Sequence, residues 1–176
     1  MERKSGRMVL SLCIGGMIAA VYAALTLVLA PLSYGSVQIR FSECLTLLPI
    51  LFPEAVPGLT VGCLLANLFS PVGTVDILVG TLATLLAALG TRYFRKHLIV
   101  SALCPVLSNG LLVGIMLSSL YNLPLLATVG SVSLGELAAV AVGLILMVSM
   151  GKRAASFLKR LGYDPAPSDE KTEKGS

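Results

Sequence analysis

Long apolar segments separated by short polar stretches fill most of this chain of 176 residues. The first covers about 8–30. At about 1.5 Å per residue, a helix of this length crosses the roughly 30 Å hydrocarbon layer of a bilayer. Three later segments of similar length cover about 75–93, 97–120 and 127–150. Because backbone groups in lipid must be hydrogen-bonded within the spanning element, these segments are predicted to be transmembrane helices.

The segment 41–70 is also apolar, but it is too long for one upright span and short for two. It contains Pro49, Pro53 and Pro57. Proline interrupts helical hydrogen bonding and is common in turns. We therefore predict two short helices, over about 41–55 and 57–70, with a turn at 53–58 between them.

The basic residues support this division. Of the 13 Lys and Arg residues, only Arg40 lies outside three clusters at 3–7, at 92–96 and from 152 onward. Short loops rich in Lys and Arg remain in the cytoplasm, so an even number of spans should separate each cluster from the next. A single broken helix over 41–70 would place the 92–96 cluster outside. The charges thus predict six transmembrane helices with both termini cytoplasmic.

Composition agrees with a protein embedded in a bilayer. Mean hydropathy is +0.90, and 56% of the residues are hydrophobic while 12% are charged. The predicted fold class is an all-α integral membrane protein with one domain, a six-helix bundle over 1–162. The tail 163–176 is polar and contains proline, and it is predicted to be disordered.

Several function classes lack their usual residues. No phosphate-binding loop with the Gly-x-x-x-x-Gly-Lys-Ser/Thr pattern occurs. The four cysteines lie within predicted spans at no metal-ligand spacing and are predicted to fill apolar space. The single histidine, His97, falls in a basic turn. We therefore predict no enzyme activity, no catalytic residues, no metal, no cofactor and no nucleic-acid partner.

Polar residues within the apolar segments are the candidates for function, because a buried charge in a membrane is costly unless it is paired or lines a wet cavity. On the six-helix arrangement most of them converge on the outer side, and they include three acidic groups and one nearby cation. A cationic ligand, or one rich in hydrogen-bond donors, would match them. The predicted substrate-binding residues are Gln38, Arg40, Glu43, Asn67, Asp76, Asn109 and Glu136.

Structural roles are the alternative for these residues. Arg40 and Glu43 have the i,i+3 spacing of a pair on one helix face, and Asp76 could cap the helix that follows Thr74. Asn109 could form a hydrogen bond between two helices.

The first predicted helix carries two rows of small residues at i,i+4 spacing. One row is Gly15, Ala19 and Ala23; the other is Gly16, Ala20 and Ala24. Small residues allow two helices to approach closely. The rows could pack inside the bundle, but together they are wider than one neighbouring helix requires. They therefore also predict docking of a partner subunit.

Several stretches resemble a known family. They are VQIRFSECLTLLP at 37–49, AVPGL at 55–59, GCLLAN at 62–67, DILVGTLATL at 76–85, and Gly135-Glu136. Over about residues 10–150 the chain resembles the QueT-type substrate-binding subunits, or S components, of energy-coupling factor (ECF) transporters. This family is assigned to queuosine precursors.

The resemblance implies a substrate-capture protein in the bacterial cytoplasmic membrane, without an ATPase of its own. The partners it implies are the coupling transmembrane subunit and two ATPase subunits of an ECF transporter, with the small-residue rows meeting the coupling subunit. The ligand it implies is a 7-deazaguanine such as 7-aminomethyl-7-deazaguanine or queuine. Three rival interpretations are an S component for another vitamin-like compound, an intramembrane enzyme with two carboxylates, and a purely structural membrane protein.

This ligand also fits the residue types. A guanine edge offers adjacent N–H donors to a carboxylate, its carbonyl needs a donor, and an aminomethyl cation suits a second carboxylate. Glu43, Asp76 and Glu136 are the predicted acceptors. Phe41 and Tyr34 are possible stacking partners for the ring.

Overall fold

The structure is a computed structural model that describes residues 2–33 and 40–160. These residues form α1 (Glu2–Val28), α2 (Ala30–Ser33), a 3-10 helix (Phe41–Ile50), α3 (Ala55–Asn67), α4 (Thr74–Tyr93), α5 (Leu98–Tyr121) and α6 (Leu125–Arg160). The predicted all-helical fold is confirmed for these residues. Three of the predictions concern residues outside the described ones. They are the binding residue Gln38, the stacking partner Tyr34 and the tail 163–176.

Four of the described segments are long and apolar enough to cross a membrane. They are Met8–Val28, Thr74–Tyr93, Leu98–Tyr121 and Leu125–Ser149. The 3-10 helix and α3 are apolar but shorter. These lengths agree with a helical membrane protein with several spans, and the count of six stays a prediction.

The first short helix differs from the prediction in length. The segment expected to be helical over 41–55 ends at Ile50 and is wound as a 3-10 helix. Pro53 has no N–H to donate to the carbonyl of Pro49. Arg92 of α4 supplies that donor instead, since its Nη1 lies 3.1 Å from the carbonyl oxygen of Pro49 and 3.4 Å from that of Ile50.

The other helices also differ at their ends. α3 begins at Ala55, so that Pro57 falls in its first turn, where a missing N–H costs nothing. α6 continues to Arg160, beyond the predicted end at 150.

The 3-10 helix has a central position in the bundle. It contacts α1, α3, α4, α5 and α6, while α1 packs on α3, α3 on α4, α4 on α5 and α5 on α6. Glycine allows these close contacts. A Cβ atom at Gly143 of α6 would collide with the carbonyl oxygen of Cys44, so only glycine lets α6 lie this near to the 3-10 helix.

Polarity is inverted relative to a water-soluble protein. Large apolar side chains cover the outside, among them Leu126 at 87% exposure and Ile99 at 78%. Six charged or amide side chains of the described residues are instead buried inside the bundle. This distribution is what a lipid environment requires, because lipid solvates apolar groups and leaves polar groups to pair with one another.

Candidate functional site

The six predicted site residues that the structure describes are all buried. None is more than 6% exposed, and they come from every part of the chain after α1: Arg40, Glu43, Asn67, Asp76, Asn109 and Glu136. The fold thus gathers them in the interior. Whether they contact a ligand stays a prediction.

One group of these residues lies where α3 ends and α4 begins. Arg40 Nη2 and Asp76 Oδ2 form an ion pair at 3.0 Å, and Ser70 Oγ donates to the same carboxylate oxygen at 2.5 Å. The ion pair therefore joins Arg40 to α4 and not, as the spacing allowed, to Glu43. Asp76 is in the first turn of α4, where the helix dipole favours a negative charge, but Gly73 occupies the N-cap position.

Asn67 completes this first group. Its Nδ2 donates to the backbone carbonyl of Asp76 at 3.0 Å and contacts Cys63 Sγ at 3.3 Å. Gly80 provides the space, because a Cβ atom there would be 2.7 Å from Asn67 Nδ2 and 2.7 Å from Asp76 Oδ1. Both polar side chains therefore depend on a glycine one turn further along α4.

A second group lies further along α4. The eight residues from Asp76 to Thr84 span about 12 Å of helix at 1.5 Å per residue. Here the Tyr22 hydroxyl of α1 donates to Glu43 Oε1. Thr84 Oγ1 lies 3.5 Å from the same oxygen and 3.2 Å from Cys63 Sγ. Cys63 touches both Asn67 and Thr84, so it joins the two groups.

Asn109 of α5 and Glu136 of α6 close the second group. Asn109 lies close to the carboxyl groups of both Glu43 and Glu136. In the observed geometry, Asn109 Nδ2 forms no hydrogen bond with any described residue. The hydrogen bond between helices that the sequence allowed for Asn109 is thus not made through Nδ2.

Both groups contain buried polar atoms without a hydrogen-bond partner among residues 2–33 and 40–160. On the carboxylate and amide side chains, four of these atoms are acceptors and one is a donor: Glu43 Oε2, Asn67 Oδ1, Asp76 Oδ1 and Glu136 Oε2, with Asn109 Nδ2 as the donor. Buried polar groups are normally hydrogen-bonded. A buried group without a hydrogen-bond partner costs about 1–3 kcal/mol, and more if it is charged. The cluster is thus suited to a molecule that brings several donors and few acceptors.

Sequence reasoning missed four residues of this cluster, namely Tyr22, Cys63, Ser70 and Thr84. All are uncharged and occur within or beside apolar stretches, where such residues are common. Tyr22 carried the best signal, because a tyrosine hydroxyl in an apolar span needs a partner. Phe41, predicted as a stacking face, is 38% exposed, while its neighbours Ser42 and Glu43 are buried.

The two small-residue rows of α1 have different surroundings. Ala19, from the first row, is buried against α3, where a Cβ atom at Gly62 would be 2.7 Å from the Ala19 carbonyl oxygen. The second row, Gly16, Ala20 and Ala24, is exposed along its length. Packing within the bundle thus accounts for the first row, whereas the second remains available for a partner.

Comparison with known proteins identifies the family. The family model described as QueT transporter matches residues 12–152, a range that contains both α1 rows and all six buried site residues. The chain belongs to the QueT transporter family. It is 30% identical over 153 residues to the queuosine precursor transporter QueT of Lactococcus lactis subsp. cremoris (strain MG1363), covering 78% of this chain and 89% of that protein. No solved structure matches.

Membership confirms three predictions. As a QueT-family protein the chain is a transporter and not an enzyme. With its four long apolar helices, it is a multi-pass protein of the cytoplasmic membrane. Its predicted resemblance to QueT-type proteins is also confirmed.

Proposed function

We propose that this QueT-family protein captures a queuosine precursor of the 7-deazaguanine class from outside the cell, as the S component of an ECF transporter. The observation that carries the ligand proposal is the imbalance of open atoms on the buried carboxylate and amide side chains, four acceptors to one donor. The name of the Lactococcus relative supports the same ligand class.

The chemistry of 7-aminomethyl-7-deazaguanine complements this imbalance. Its ring edge offers adjacent N–H donors, and its aminomethyl group adds a cation with three more. Glu43 Oε2 and Glu136 Oε2 can accept them, and the ring carbonyl can accept from Asn109 Nδ2. Asn67 is the weaker candidate for that carbonyl, because its Nδ2 is already engaged by Cys63 and Asp76.

Mass spectrometry of small molecules that copurify with the protein tests the ligand class without assuming it. We expect a 7-deazaguanine. Calorimetry with 7-aminomethyl-7-deazaguanine, riboflavin, thiamine and biotin then ranks the candidates. Tight binding of one of the three vitamins, with none of the deazaguanine, would contradict the proposal.

We further propose that the 3-10 helix and α3 form two short spans of a single six-helix membrane domain over 1–162, with both termini cytoplasmic. The turn between Ile50 and Ala55 supports a reversal of direction there. Two spans then lie between the 3–7 cluster and this turn, two between the turn and the 92–96 cluster, and two between that cluster and 152 onward, which places all three basic clusters on the same side.

Cysteine labelling tests this topology. In a variant without the four native cysteines, a membrane-impermeant maleimide added from outside should modify a cysteine placed at Ser36 and should not modify one placed at Lys96. The opposite pattern, or equal labelling of both, would contradict the six-span arrangement.

The proposed partners are the coupling transmembrane subunit and, through it, two ATPase subunits. The exposed row Gly16, Ala20 and Ala24 supports close contact of α1 with a helix of the coupling subunit. Gly16 also lines a groove of about 460 Å³ between α1 and α3, which adds to the concave surface available there.

Substitutions in the two rows separate docking from packing. Ala20→Leu and Ala24→Leu should reduce copurification of the coupling subunit and lower uptake, because the added volume separates the helices, while ligand binding should remain. Ala19→Leu and Ala23→Leu change the row next to α3, and Ala19→Leu should also lower the stability of the bundle. Ala138→Leu, on an exposed face of α6, is the control. Full copurification of both Ala20→Leu and Ala24→Leu would show that this face is not the docking surface.

A further inference from the structure

α1 reaches the 3-10 helix through two neighbouring side-chain hydrogen bonds. The Tyr22 hydroxyl donates to Glu43 Oε1, and one helical turn later the hydroxyls of Thr26 and Ser42 form a hydrogen bond at 2.7 Å. All four residues are buried. Only the first of these bonds ends on a residue of the candidate site, so the two can be separated experimentally.

The bond from Tyr22 determines which part of the Glu43 carboxylate is available. It engages Oε1, whereas the other close hydroxyl, that of Thr84, is 3.5 Å from this oxygen. Glu43 Oε2 has no partner among the residues described. A hydrogen bond in the buried interior is electrostatically stronger than one in water, so the Tyr22 contact is well able to hold the Glu43 carboxyl group in one orientation.

Tyr22 is carried by a helix whose position is fixed by backbone contact. A Cβ atom at Gly62 of α3 would be 2.7 Å from the Ala19 carbonyl oxygen and 2.9 Å from Tyr22 Cβ. The two helices thus touch immediately beside Tyr22. Any change in the distance between α1 and α3 would move the Tyr22 hydroxyl relative to Glu43.

We propose that Tyr22 is a positioning residue of the ligand site, which orients the Glu43 carboxylate and makes ligand affinity depend on the placement of α1 against α3. The inference rests on the proposed function of the site. On this proposal the two faces of α1 have different roles. The exposed small-residue row is open to a partner, and the buried face, through Tyr22, orients a carboxyl group that binds the ligand.

The first test compares two conservative variants by calorimetry on detergent-purified protein, with 7-aminomethyl-7-deazaguanine as the probe. Tyr22→Phe keeps the ring and should weaken binding about tenfold. Thr26→Val removes the neighbouring hydroxyl and should leave affinity within about twofold. In a Glu43→Gln background, Tyr22→Phe should have little further effect, because the orientation of the carboxylate no longer matters.

The outcomes distinguish this inference from the proposed function. If the unchanged protein does not bind the probe, the proposed function fails and the inference fails with it. If it binds, but Tyr22→Phe has no effect, or has the same effect with and without the Glu43→Gln change, only the inference is overturned.

The second test moves α1 by a change in α3 and leaves the Tyr22 residue itself unaltered. Gly62→Ala adds a methyl group 2.7 Å from the Ala19 carbonyl oxygen and 2.9 Å from Tyr22 Cβ, so α1 must shift, whereas Gly16→Ala adds one where nothing lies within 4 Å. Gly62→Ala should weaken binding several-fold in the presence of Tyr22 and clearly less in the Tyr22→Phe background. Gly16→Ala should leave affinity unchanged. Equal losses for Gly62→Ala in both backgrounds would show that α1 does not act through Tyr22.

Discussion

Glu136→Gln and Glu43→Gln should each weaken binding of 7-aminomethyl-7-deazaguanine by tenfold or more, which corresponds to about 1.4 kcal/mol. In both carboxylates Oε2 is buried without a partner from the described residues. Glutamine keeps the shape of the side chain, but it places an N–H donor where one of the two carboxyl oxygens was. A ligand N–H or ammonium group would then face an amide N–H, and both would be left unpaired.

Two controls make this result specific. Glu54→Gln is the same chemical change in the turn before α3, where the carboxylate accepts from Ser11 at 2.8 Å, and it should leave affinity unchanged. The neutral 7-cyano analogue keeps the guanine edge but lacks the ammonium group. One of the two glutamine variants should therefore lose less affinity for this analogue than for the aminomethyl compound. Unchanged affinity in Glu43→Gln, Glu136→Gln and Asp76→Asn would show that the acidic cluster is not the binding site.

The helical membrane fold was predictable because lipid restricts both composition and backbone structure. A long apolar segment can satisfy its backbone groups only as a helix or a closed barrel, and basic residues mark the cytoplasmic loops. The same restriction makes interior polar residues conspicuous. Glu43, Asn109 and Glu136 could be selected as interior residues simply because they interrupt apolar segments.

The partners of those residues were not predictable, because they depend on distances across the chain. The i,i+3 spacing of Arg40 and Glu43 suggested a local pair, yet Arg40 pairs with Asp76, 36 positions away. The 3-10 winding of residues 41–50, with proline on both sides of its end, determines the direction in which Glu43 leaves the backbone. Sequence periodicity assumes a regular α-helix and does not include this change.

The two rows of α1 show a second limit. Both have the same spacing and the same residue types, so the sequence gives no reason to assign one to packing and the other to the surface. Gly58 and Gly62 of α3 decide the matter, since a Cβ atom at either position would be 2.7 Å from an α1 carbonyl oxygen, that of Gly15 or of Ala19. Pairing two small faces requires knowing which helices are neighbours.

The largest effect on stability is expected from the buried ion pair. Removing one member of such a pair leaves the other charge without its counter-ion and typically costs about 3–5 kcal/mol. Arg40 and Asp76 are 6% and 0% exposed, so Asp76→Asn should lower the thermal unfolding midpoint markedly in detergent. The loss should exceed that of Ser70→Ala, which removes only the hydroxyl donor to the same carboxylate oxygen.

A double variant, Arg40→Met with Asp76→Leu, separates the structural role of this pair from a role in binding. Replacing both members of a buried ion pair by apolar residues is often neutral or stabilising, so the double variant should recover much of the midpoint lost in Asp76→Asn. Its ligand affinity should remain low, because Asp76 Oδ1 is one of the four open acceptors of the site. Recovery of both stability and affinity would show that the ion pair only holds α4 against the 3-10 helix, and would restrict the ligand to Glu43, Asn109 and Glu136.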